Sequence, residues 1–523
     1  MGTDSIVALS ACLGAAIIAL SSIYRILTDR LSLNSLPGPP APSWLWGNSV
    51  DLRKAVVGTR YNVWRQKYGA TYKIRGVFMS PTLIVGDPKG ITHVLTTKAA
   101  VYQRPELDRI ALGLWFGKSI LTDEGEEHRA HRKILNRAFT QQSVQEVSHV
   151  FFDLAHKLCS QWENRIGSDQ SATFNVAKDV HSLTLDAISM TMFAHNLSDS
   201  NGHIPELLDN IANGPAENDS AFARVMGVLV ATFPVLLQLP NPVSKWAKML
   251  RTELGQIARK AWTDKLKAGG DMNAKVLELL GDHEDSFTED RIIGEIVGIL
   301  FAGSETAANI MTEFLFEMAS QPEIQAKVRQ ELVDFETKHN RRPQYEDITN
   351  GTTLPYFDAV MRETLRLKAV LMDIARVATR DDVIPLEFSI PGTNAKEVFV
   401  RKGTDVCVPV RDGINVDEAI WGLDAAVFKP ERWLDDSLPE SVRLVRAQGN
   451  MLTFGDGPKV CLGRTFALAE LKIVLSTLVR HFSFEPENST TLDFYHLGGN
   501  TVKPKIRGRE HEGVQMPLRV TKV

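Results

Sequence analysis

The stretch Phe454-Gly455-Asp456-Gly457-Pro458-Lys459-Val460-Cys461-Leu462-Gly463 places one cysteine in a glycine-rich loop, directly before a helical pattern from about residue 464 to 480. Gly457 and Gly463 lack a Cβ atom, so the backbone on both sides of the cysteine can lie close to a flat partner. The helix that starts after Cys461 presents free backbone N–H groups and the positive end of its dipole, which favour an ionised sulfur. The loop therefore predicts a thiolate ligand for haem iron, whereas a lone cysteine without these neighbours is more often a buried free thiol on a tight turn.

A thiolate ligand pushes electron density toward iron and favours O–O bond cleavage. Phe454 lies seven residues before Cys461, Gly457 four before, Lys459 two before, and Gly463 two after, and this spacing resembles the haem-binding loop of the cytochrome P450 family. The resemblance extends from about residue 36 to residue 523. It implies a haem-thiolate monooxygenase with haem b as its cofactor, Cys461 as the axial iron ligand, and Phe454, Gly457 and Gly463 as cofactor-binding residues.

The remaining pattern is mainly helical. Long amphipathic stretches lie near residues 141–165, 176–195, 245–269, 290–320, 322–338 and 355–368. Strand-like pieces are short and cluster at 70–87, 383–410 and 499–522. We therefore predict a mainly α fold with a small β region, and the resemblance implies that residues 49–523 form one catalytic domain with the cytochrome P450 fold.

Composition excludes several classes of protein. The 523 residues carry a formal net charge of −4, which gives no general basic field for nucleic acid, so we expect no nucleic-acid partner. The four cysteines are scattered and form no CxxC pair, so neither a disulfide framework nor a zinc cluster is indicated. A reducing compartment is the natural setting.

The N-terminal region predicts a membrane anchor. Ile6 to Tyr24 is a run of 19 residues without charge, about 28 Å long as a helix and close to the thickness of a bilayer core. Positive charge at Arg25 and Arg30 after the run places the remainder in the cytosol; a cleaved signal peptide is the competing interpretation. We predict an anchor at 1–30 in the endoplasmic reticulum membrane and a linker at 31–48, whose proline-rich hinge at 36–42 separates anchor from globule.

A second chemical pattern is Ala302-Gly303-Ser304-Glu305-Thr306-Ala307, inside a long apolar helix. Ala302 and Thr306 are four residues apart and share a helix face, with Glu305 beside them. O2 must take up two protons before its O–O bond breaks, and a hydroxyl with a nearby carboxylate suits that task. The resemblance implies catalytic roles for Thr306 and Glu305. The alternative is that Thr306 bonds back to the carbonyl of Ala302 and that Glu305 forms a structural ion pair.

Two further sets of charged residues match family positions. Glu363 and Arg366 are three apart on a helix and can pair, and the segment 428–433 brings Arg432, which the resemblance assigns to a buried Glu-Arg-Arg cluster under the haem loop.

The haem propionates need cations, and Arg132, Arg376 and Lys459 match the donor positions of the family. His128 replaces the tryptophan that the family usually has four residues before Arg132. Its imidazole can donate to a propionate, with a pH-dependent contact if it titrates near neutrality. Each of these cations could otherwise be ordinary surface charge.

Partners and substrate follow from the resemblance. Electrons are expected from NADPH through a separate cytochrome P450 reductase, docked on a basic surface with Arg129, Arg132, Lys133 and Arg137. Cytochrome b5 is a possible second donor. Apolar residues at 109–120 and 225–239, with Leu300 and Phe301, predict a lipophilic small-molecule substrate. The chain looks most like fungal family members that hydroxylate terpenoids or other secondary metabolites. Two alternatives stay open: an isomerase or dehydratase of the same fold that needs no O2, and a non-catalytic haem-binding membrane protein.

Overall fold

The computed structural model describes residues 33–57, 60–194, 229–230, 232–239, 241–268, 275–281, 287–434, 438–487, 490–497 and 501–523. The α-helices of these residues, in chain order, are α1 Ser49–Lys54, α2 Tyr61–Tyr68, α3 Pro88–Thr92, α4 Glu106–Phe116, α5 Gly125–Leu135, α6 Gln141–Ile166, α7 Val176–Phe193, α8 Pro242–Ala268, α9 Lys275–Gly281, α10 Glu289–Ser320, α11 Pro322–His339, α12 Tyr345–Thr349, α13 Pro355–Leu367, α14 Glu418–Trp421 and α15 Arg464–His481. The six long helices predicted between residues 141 and 368 are confirmed with ends displaced by at most a few residues.

Local sequence explains where the main helices begin. The hydroxyl oxygens of Thr140 and Thr288 accept hydrogen bonds from the backbone N–H groups of Ser143 and Arg291, which caps α6 and α10. Pro322 and Pro355 occupy the first positions of α11 and α13, where a missing N–H costs nothing. These signals are local, which is why the pattern of residues predicted the helices well.

The strands are β1 Thr71–Arg75, β2 Pro81–Val85, β3 Tyr102–Gln103, β4 Ser171–Asn175, β5 Asp373–Ala378, β6 Asp382–Pro385, β7 Glu397–Val400, β8 Asp405–Pro409, β9 Phe482–Pro486, β10 Leu492–Leu497, β11 Thr501–Ile506 and β12 Pro517–Lys522. They form a five-stranded sheet in the order β1-β2-β8-β5-β3, a three-stranded sheet β4-β12-β9, and the pairs β6-β7 and β10-β11. The mainly helical fold with small sheets is confirmed. Strands β3, β4, β5, β9 and β10 lie outside the three predicted β regions. Most of them are short or follow a helix without a turn signal.

Helix α10 runs through the centre of the helical layer, and most of its 32 residues are buried. It packs against α7, α8, α15 and β9. At Gly294 the helix backbone nearly touches the chain before α5, because a Cβ atom there would lie 2.2 Å from the carbonyl oxygen of Lys118. This contact fixes the position of α10 relative to the segment of residues 116–124.

The described part of the predicted linker packs onto the domain. Leu33 and Leu36 are buried in the core beside the five-stranded sheet. The N–H of Lys73 in β1 donates to the carbonyl of Pro37 at 3.0 Å. The hinge is therefore docked along β1.

Among the helices of the described ranges, none has both the length and the apolar character needed to cross a bilayer. The anchor predicted at 1–30 lies outside the described residues.

Replacing Gly294 by alanine should lower the free energy of unfolding by about 1–3 kcal/mol, since the new methyl group meets backbone on the neighbouring segment. Gly255 in α8 is the matched control: its Cβ atom would lie 3.6 Å from its nearest neighbours. Gly255→Ala should leave stability unchanged or raise it by about 0.5–1 kcal/mol. Urea denaturation followed by tryptophan fluorescence measures both, and equal effects of the two variants would contradict the close contact at Gly294.

Candidate active site

The cysteine loop is held in a tight turn. The N–H of Cys461 donates to the carbonyl of Phe454 at 2.8 Å, which closes the loop across its base. Gly457 has φ +69°, and a Cβ atom there would lie 2.0 Å from the carbonyl oxygen of Leu95. Gly457 is therefore needed for both its conformation and the close approach. Gly463 has an ordinary φ, and its Cβ atom would lie 3.8 Å from the ring of Phe139, so the predicted close approach concerns Gly457 more than Gly463.

Cys461 differs from the other cysteines that the structure describes. Cys159 and Cys407 are buried, whereas Cys461 is exposed. Although the residue is exposed, the protein packed around the sulfur desolvates it and raises the pKa of the Cys461 thiol, while the backbone N–H of Gly463 and the charge of Arg132 lower it. The pKa stays above the ordinary value, so the helix start alone does not ionise the thiol. A metal ion bound at the sulfur would supply the missing stabilisation, because coordination deprotonates a thiol.

Beneath the loop lies a buried cluster of three charged side chains. Glu363 and Arg366 have no exposed surface, and their side chains meet at 2.7 Å. Arg432 contacts the same Glu363 carboxylate at 2.9 Å. The indole N–H of Trp433 donates to Glu363 at 3.0 Å, and Arg366 donates to main-chain carbonyls, including that of Ala425 at 2.6 Å. The three predicted residues are therefore brought together, and Asp424, 3.3 Å from Arg432, is the second carboxylate that balances the two arginines.

Asn415 and Thr453 connect this cluster to the cysteine loop. The amide of Asn415 donates to the carbonyl of Arg366 at 3.0 Å and to the hydroxyl of Thr453 at 3.1 Å. The carbonyl oxygen of the same amide accepts from the N–H of Leu452 at 3.0 Å. Because residues 452 and 453 lead directly into Phe454, the buried charges set the start of the loop.

A cluster of cations lies beside the cysteine loop, formed by the side chains of Arg104, Arg132, Arg376 and Lys459 with the imidazole of His128. Burial and the charge of Arg104 lower the pKa of Arg376 to about 10. The pKa of Lys459 is lowered by burial and by Arg104 and Arg376. Like charges are thus close enough to destabilise one another, and Glu124 and Asp108 are the anions that oppose this effect.

Each of the four cations donates hydrogen bonds to main-chain carbonyl or carboxylate oxygen atoms. Arg132 donates to the carbonyl of Val460, one residue before the cysteine. Lys459 donates to the carbonyl of Asp123 at 2.9 Å and pairs with Glu124 at 2.7 Å. Arg376 donates to the carbonyl of its neighbour Ala375 at 2.7 Å, and Arg104 donates to the carbonyl of Leu121.

Arg104 was missed by the sequence analysis. It stands alone before Pro105, in no charged motif, and its place in the cluster depends on the pairing of β3 with β5. A lone arginine directly after a short strand and before a proline was the signal available. The structure places it with the three cations that the sequence analysis did find.

His128 is buried, with 6% of its surface exposed. Burial, then the charges of Lys459 and Arg132, lowers its pKa to about 4. The imidazole is therefore neutral near pH 7, and the pH-dependent contact considered for it at neutrality is not expected. A neutral imidazole still offers one N–H donor.

On α10, the residues Phe301, Ala302, Gly303 and Thr306 stay partly exposed in a helix that is otherwise mostly buried. A Cβ atom on Gly303 would lie 2.9 Å from the side chain of Ile188 in α7, so Gly303 lets the two helices approach closely. These residues span one turn, and the partial exposure marks where α10 passes the site.

Thr306 and Glu305, the two residues predicted to deliver protons, make the contacts expected from the alternative interpretation, a bond back to Ala302 and a structural ion pair. The hydroxyl of Thr306 donates to the carbonyl of Ala302 at 2.8 Å. Glu305 is buried, pairs with Lys503 of β11, and lies 2.9 Å from Nε2 of His181 in α7. Burial alone would raise the pKa of Glu305, but Lys503 and His181 hold it well below its ordinary value. The catalytic roles of Thr306 and Glu305 stay predictions.

The residues present fit a haem group. An exposed thiol lies in a glycine loop, and Arg132 connects that loop to a group of cations with few anions among them. Two propionates would balance the excess positive charge, and Cys461 would bind the iron. The residues that would hold the group are therefore Cys461 at the metal and Arg104, Arg132, Arg376 and Lys459 at its acidic edge.

Comparison with known proteins agrees with this geometry. The family model for cytochrome P450 matches residues 37–507. The chain is 33% identical to cytochrome P450 monooxygenase claW of Ampulloclitocybe clavipes, over 97% of this chain and 96% of that protein. It is 32% identical to claU of the same fungus, covering 97% and 96% of the two chains. It is 30% identical to cytochrome P450 monooxygenase 205 of Postia placenta, over 96% of this chain and 94% of the relative.

Glu363→Gln should abolish or strongly reduce haem incorporation. The substitution leaves Arg366 and Arg432 without their buried counter-charge, at a cost on the order of 3–5 kcal/mol. The haem-to-protein ratio after purification and urea denaturation measure the two effects. Glu126→Gln is the control, since Glu126 forms an ion pair with Arg129 in which both side chains are exposed, and it should change neither. A Glu363→Gln protein with full haem content and unchanged stability would contradict the structural role.

The contribution of Glu305 to stability should depend on pH. Its pKa in the folded protein is depressed, so the stabilisation is fully present above the ordinary value of 4.5 and is lost as pH falls below it toward the folded pKa. The difference in unfolding free energy between wild type and Glu305→Gln should therefore shrink between pH 7 and pH 3.5. Urea titrations across this range measure it, with Glu323→Gln on exposed α11 surface as the control. A difference that stays constant with pH would contradict the ion pairing.

Proposed function

This chain belongs to the cytochrome P450 family, and we propose that it inserts one oxygen atom from O2 into a lipophilic small molecule, with electrons from NADPH delivered by a separate reductase. Its relatives are named cytochrome P450 monooxygenases, and the chain is a monooxygenase of this family. The observation that carries the proposal is the exposed thiol of Cys461, in a loop fixed by the Glu363 cluster and flanked by cations. When bound, haem supplies the activation of O2, with one atom transferred to substrate and the other released as water.

The chain's own residues hold the cofactor and handle protons. Cys461 binds the iron as thiolate, and the cation cluster neutralises the propionates, which removes the mutual repulsion of Arg376, Arg104 and Lys459. Thr306 carries a proton on Oγ1 at the partly exposed face of α10, where the hydroxyl donates a hydrogen bond to the carbonyl of Ala302. After rotation about the Cα–Cβ bond, the hydroxyl passes this proton on. Lys503 and His181 hold Glu305 ionised, so its carboxylate stays a hydrogen-bond acceptor that orients the water from which that hydroxyl is replenished.

Apolar side chains near this face support a lipophilic substrate. Leu112 and Trp115 of α4 are partly buried, as is Phe301 of α10, which packs its ring 4.9 Å from Phe116. Leu300 is fully buried in the core and does not line the face. A terpenoid or other secondary metabolite is the substrate class we propose, on the strength of the resemblance to fungal members with such substrates.

The proposed partners and location rest on surface features. Lys133 and Arg137 are exposed, and Arg129 pairs with Glu126 in the solvent, which leaves a basic surface for NADPH-cytochrome P450 reductase and cytochrome b5. Val235 and Leu239 expose 60% and 57% of their surface, as expected of a segment that dips into a bilayer. With residues 1–30 as anchor, we propose the endoplasmic reticulum membrane, with the catalytic domain in the cytosol.

An isomerase or dehydratase of the same fold would also keep Cys461 but would not need Thr306. The names of the relatives favour the monooxygenase, and they disfavour a non-catalytic haem-binding protein as well.

The test is the carbon monoxide difference spectrum of dithionite-reduced microsomes that contain the full-length chain. Wild type should give the strongly red-shifted Soret band of a thiolate ligand, and Cys461→Ser should lose it. Cys159→Ser, at a buried core position, is the control and should keep the band. NADPH consumption with added reductase and a panel of terpenoids then tests the substrate class. Folded, haem-loaded wild-type protein without the red-shifted band would refute the monooxygenase proposal.

A further inference from the structure

The segment of residues 116–124, which we term the bridge segment, joins α4 to α5 and lies along the first half of α10. Its backbone touches α10 at Gly294, where a Cβ atom would lie 2.2 Å from the carbonyl of Lys118. One turn further, a Cβ atom on Gly298 would lie 3.3 Å from the side chain of Leu121. Two glycines one turn apart therefore let the bridge segment press directly onto the helix.

Glu295 of α10 holds this segment through its main chain. It has no exposed surface, and its two carboxylate oxygens accept the N–H of Ile120 at 2.9 and 3.0 Å. Burial raises the pKa of Glu295 to about 7, and the Ile120 N–H and the Arg291 charge oppose that rise. The contacts with Ile120 and Arg291 thus favour the ionised form of the carboxylate against its burial.

Arg291 holds the other end of the bridge segment. Its guanidinium pairs with the Asp123 carboxylate, lies 3.3 Å from Glu295, and reaches Glu127 of α5 at 3.0 Å. His131 of α5 lies 2.8 Å from the same Asp123 carboxylate.

The ligand atoms of Asp123, Glu127 and His131 lie within 4.8 Å of one another, an arrangement that resembles a metal site. Arg291 already supplies positive charge to both carboxylates, so the cluster is an ion-pair network and we infer no metal there.

The bridge segment also accepts hydrogen bonds from two cations of the candidate haem site. The carbonyl of Leu121 accepts from Arg104, and the carbonyl of Asp123 accepts from Lys459. Glu124, the last residue of the segment, pairs with Lys459. Leu121 and Asp123 thus contact both α10 and a cation. Among these partners, Ile120 contacts only α10 and Glu124 only the cation Lys459.

We propose that Glu295 and Arg291 are positioning residues, which fix the bridge segment on α10 and thereby place Arg104 and Lys459 at the acidic edge of the haem. The inference rests on the proposed function in that haem binds where those cations converge. It assigns a role to side chains that touch neither the cysteine loop nor the exposed face of α10. Any displacement of α10 against the bridge segment then changes the charge around the propionates.

Glu295→Gln is the test variant, because it keeps the shape of the side chain and removes the charge that both Ile120 and Arg291 use. Glu289→Gln, in the first turn of the same helix with a 69% exposed side chain, is the matched control. Full-length, haem-loaded proteins are compared by hydrogen exchange of peptides covering 116–124, by the rate of haem transfer to apomyoglobin, and by midpoint reduction potential.

Glu295→Gln should speed exchange in residues 116–124 and accelerate haem loss at least threefold, with a shifted potential, while peptides of α13 and the control variant match wild type. Faster exchange with unchanged haem loss and potential would show that the segment does not position the cations, and unchanged exchange would show that Glu295 does not hold it. Either result overturns the inference. A wild type that binds no haem would instead contradict the proposed function.

A double-variant cycle provides a second measurement, in case Glu295→Gln loses stability generally. Arg104→Lys directly weakens the hydrogen bond to the carbonyl of Leu121. Its effect on haem loss should therefore be smaller in the Glu295→Gln background than in wild type. Additive effects of the two substitutions would mean that Arg104 is not placed through the bridge segment and would overturn that part of the inference.

Discussion

The Glu363 carboxylate, fully buried and neutralised by two arginines, is the interaction on which the site depends. A charge in the protein interior is tolerated only with matched partners, so both arginines, the Trp433 indole and several main-chain carbonyls must be in place together. These partners come from helix α13, from the turn around Arg432 and from the segment near Asn415. The cluster therefore selects one arrangement of three distant parts of the chain, and that arrangement sets the start of the cysteine loop.

Two groups of charge in this molecule behave in opposite ways. Around Glu363 each charge is balanced within the protein, and the cluster needs no ligand. Beside the cysteine loop, Arg104 lowers the pKa of both Arg376 and Lys459, Arg376 lowers that of Lys459 further, and few anions oppose them. The first group belongs to the fold and the second to the cofactor. The contrast explains why a protein interior with surplus positive charge is a strong indicator of an acidic ligand.

Much of this structure could be predicted from sequence because its signals are local. Helix caps, apolar periodicity and the spacing around Cys461 lie within a few residues of one another, and the Glu363, Arg366 and Arg432 set was identified from two short motifs. Arg104 and the contacts of Glu295 could not be predicted, since Ile120 and Glu295 are 175 residues apart and meet only through tertiary packing. The sequence also gave no indication that Lys503 and His181 would pair with Glu305, or that burial would outweigh the helix start at Cys461.

The three-stranded sheet has a consequence for the biosynthesis of the protein. Strand β12 lies between β4 and β9, and Leu518 pairs with Phe174 on one side and Pro486 on the other. At the translation rates typical of cells, the ribosome makes β12 roughly 20–70 s after β4. Throughout that interval β4 exposes an unpaired strand edge to other nascent chains. Completion of this sheet is therefore a late step in the folding of the chain, after its local helices can form.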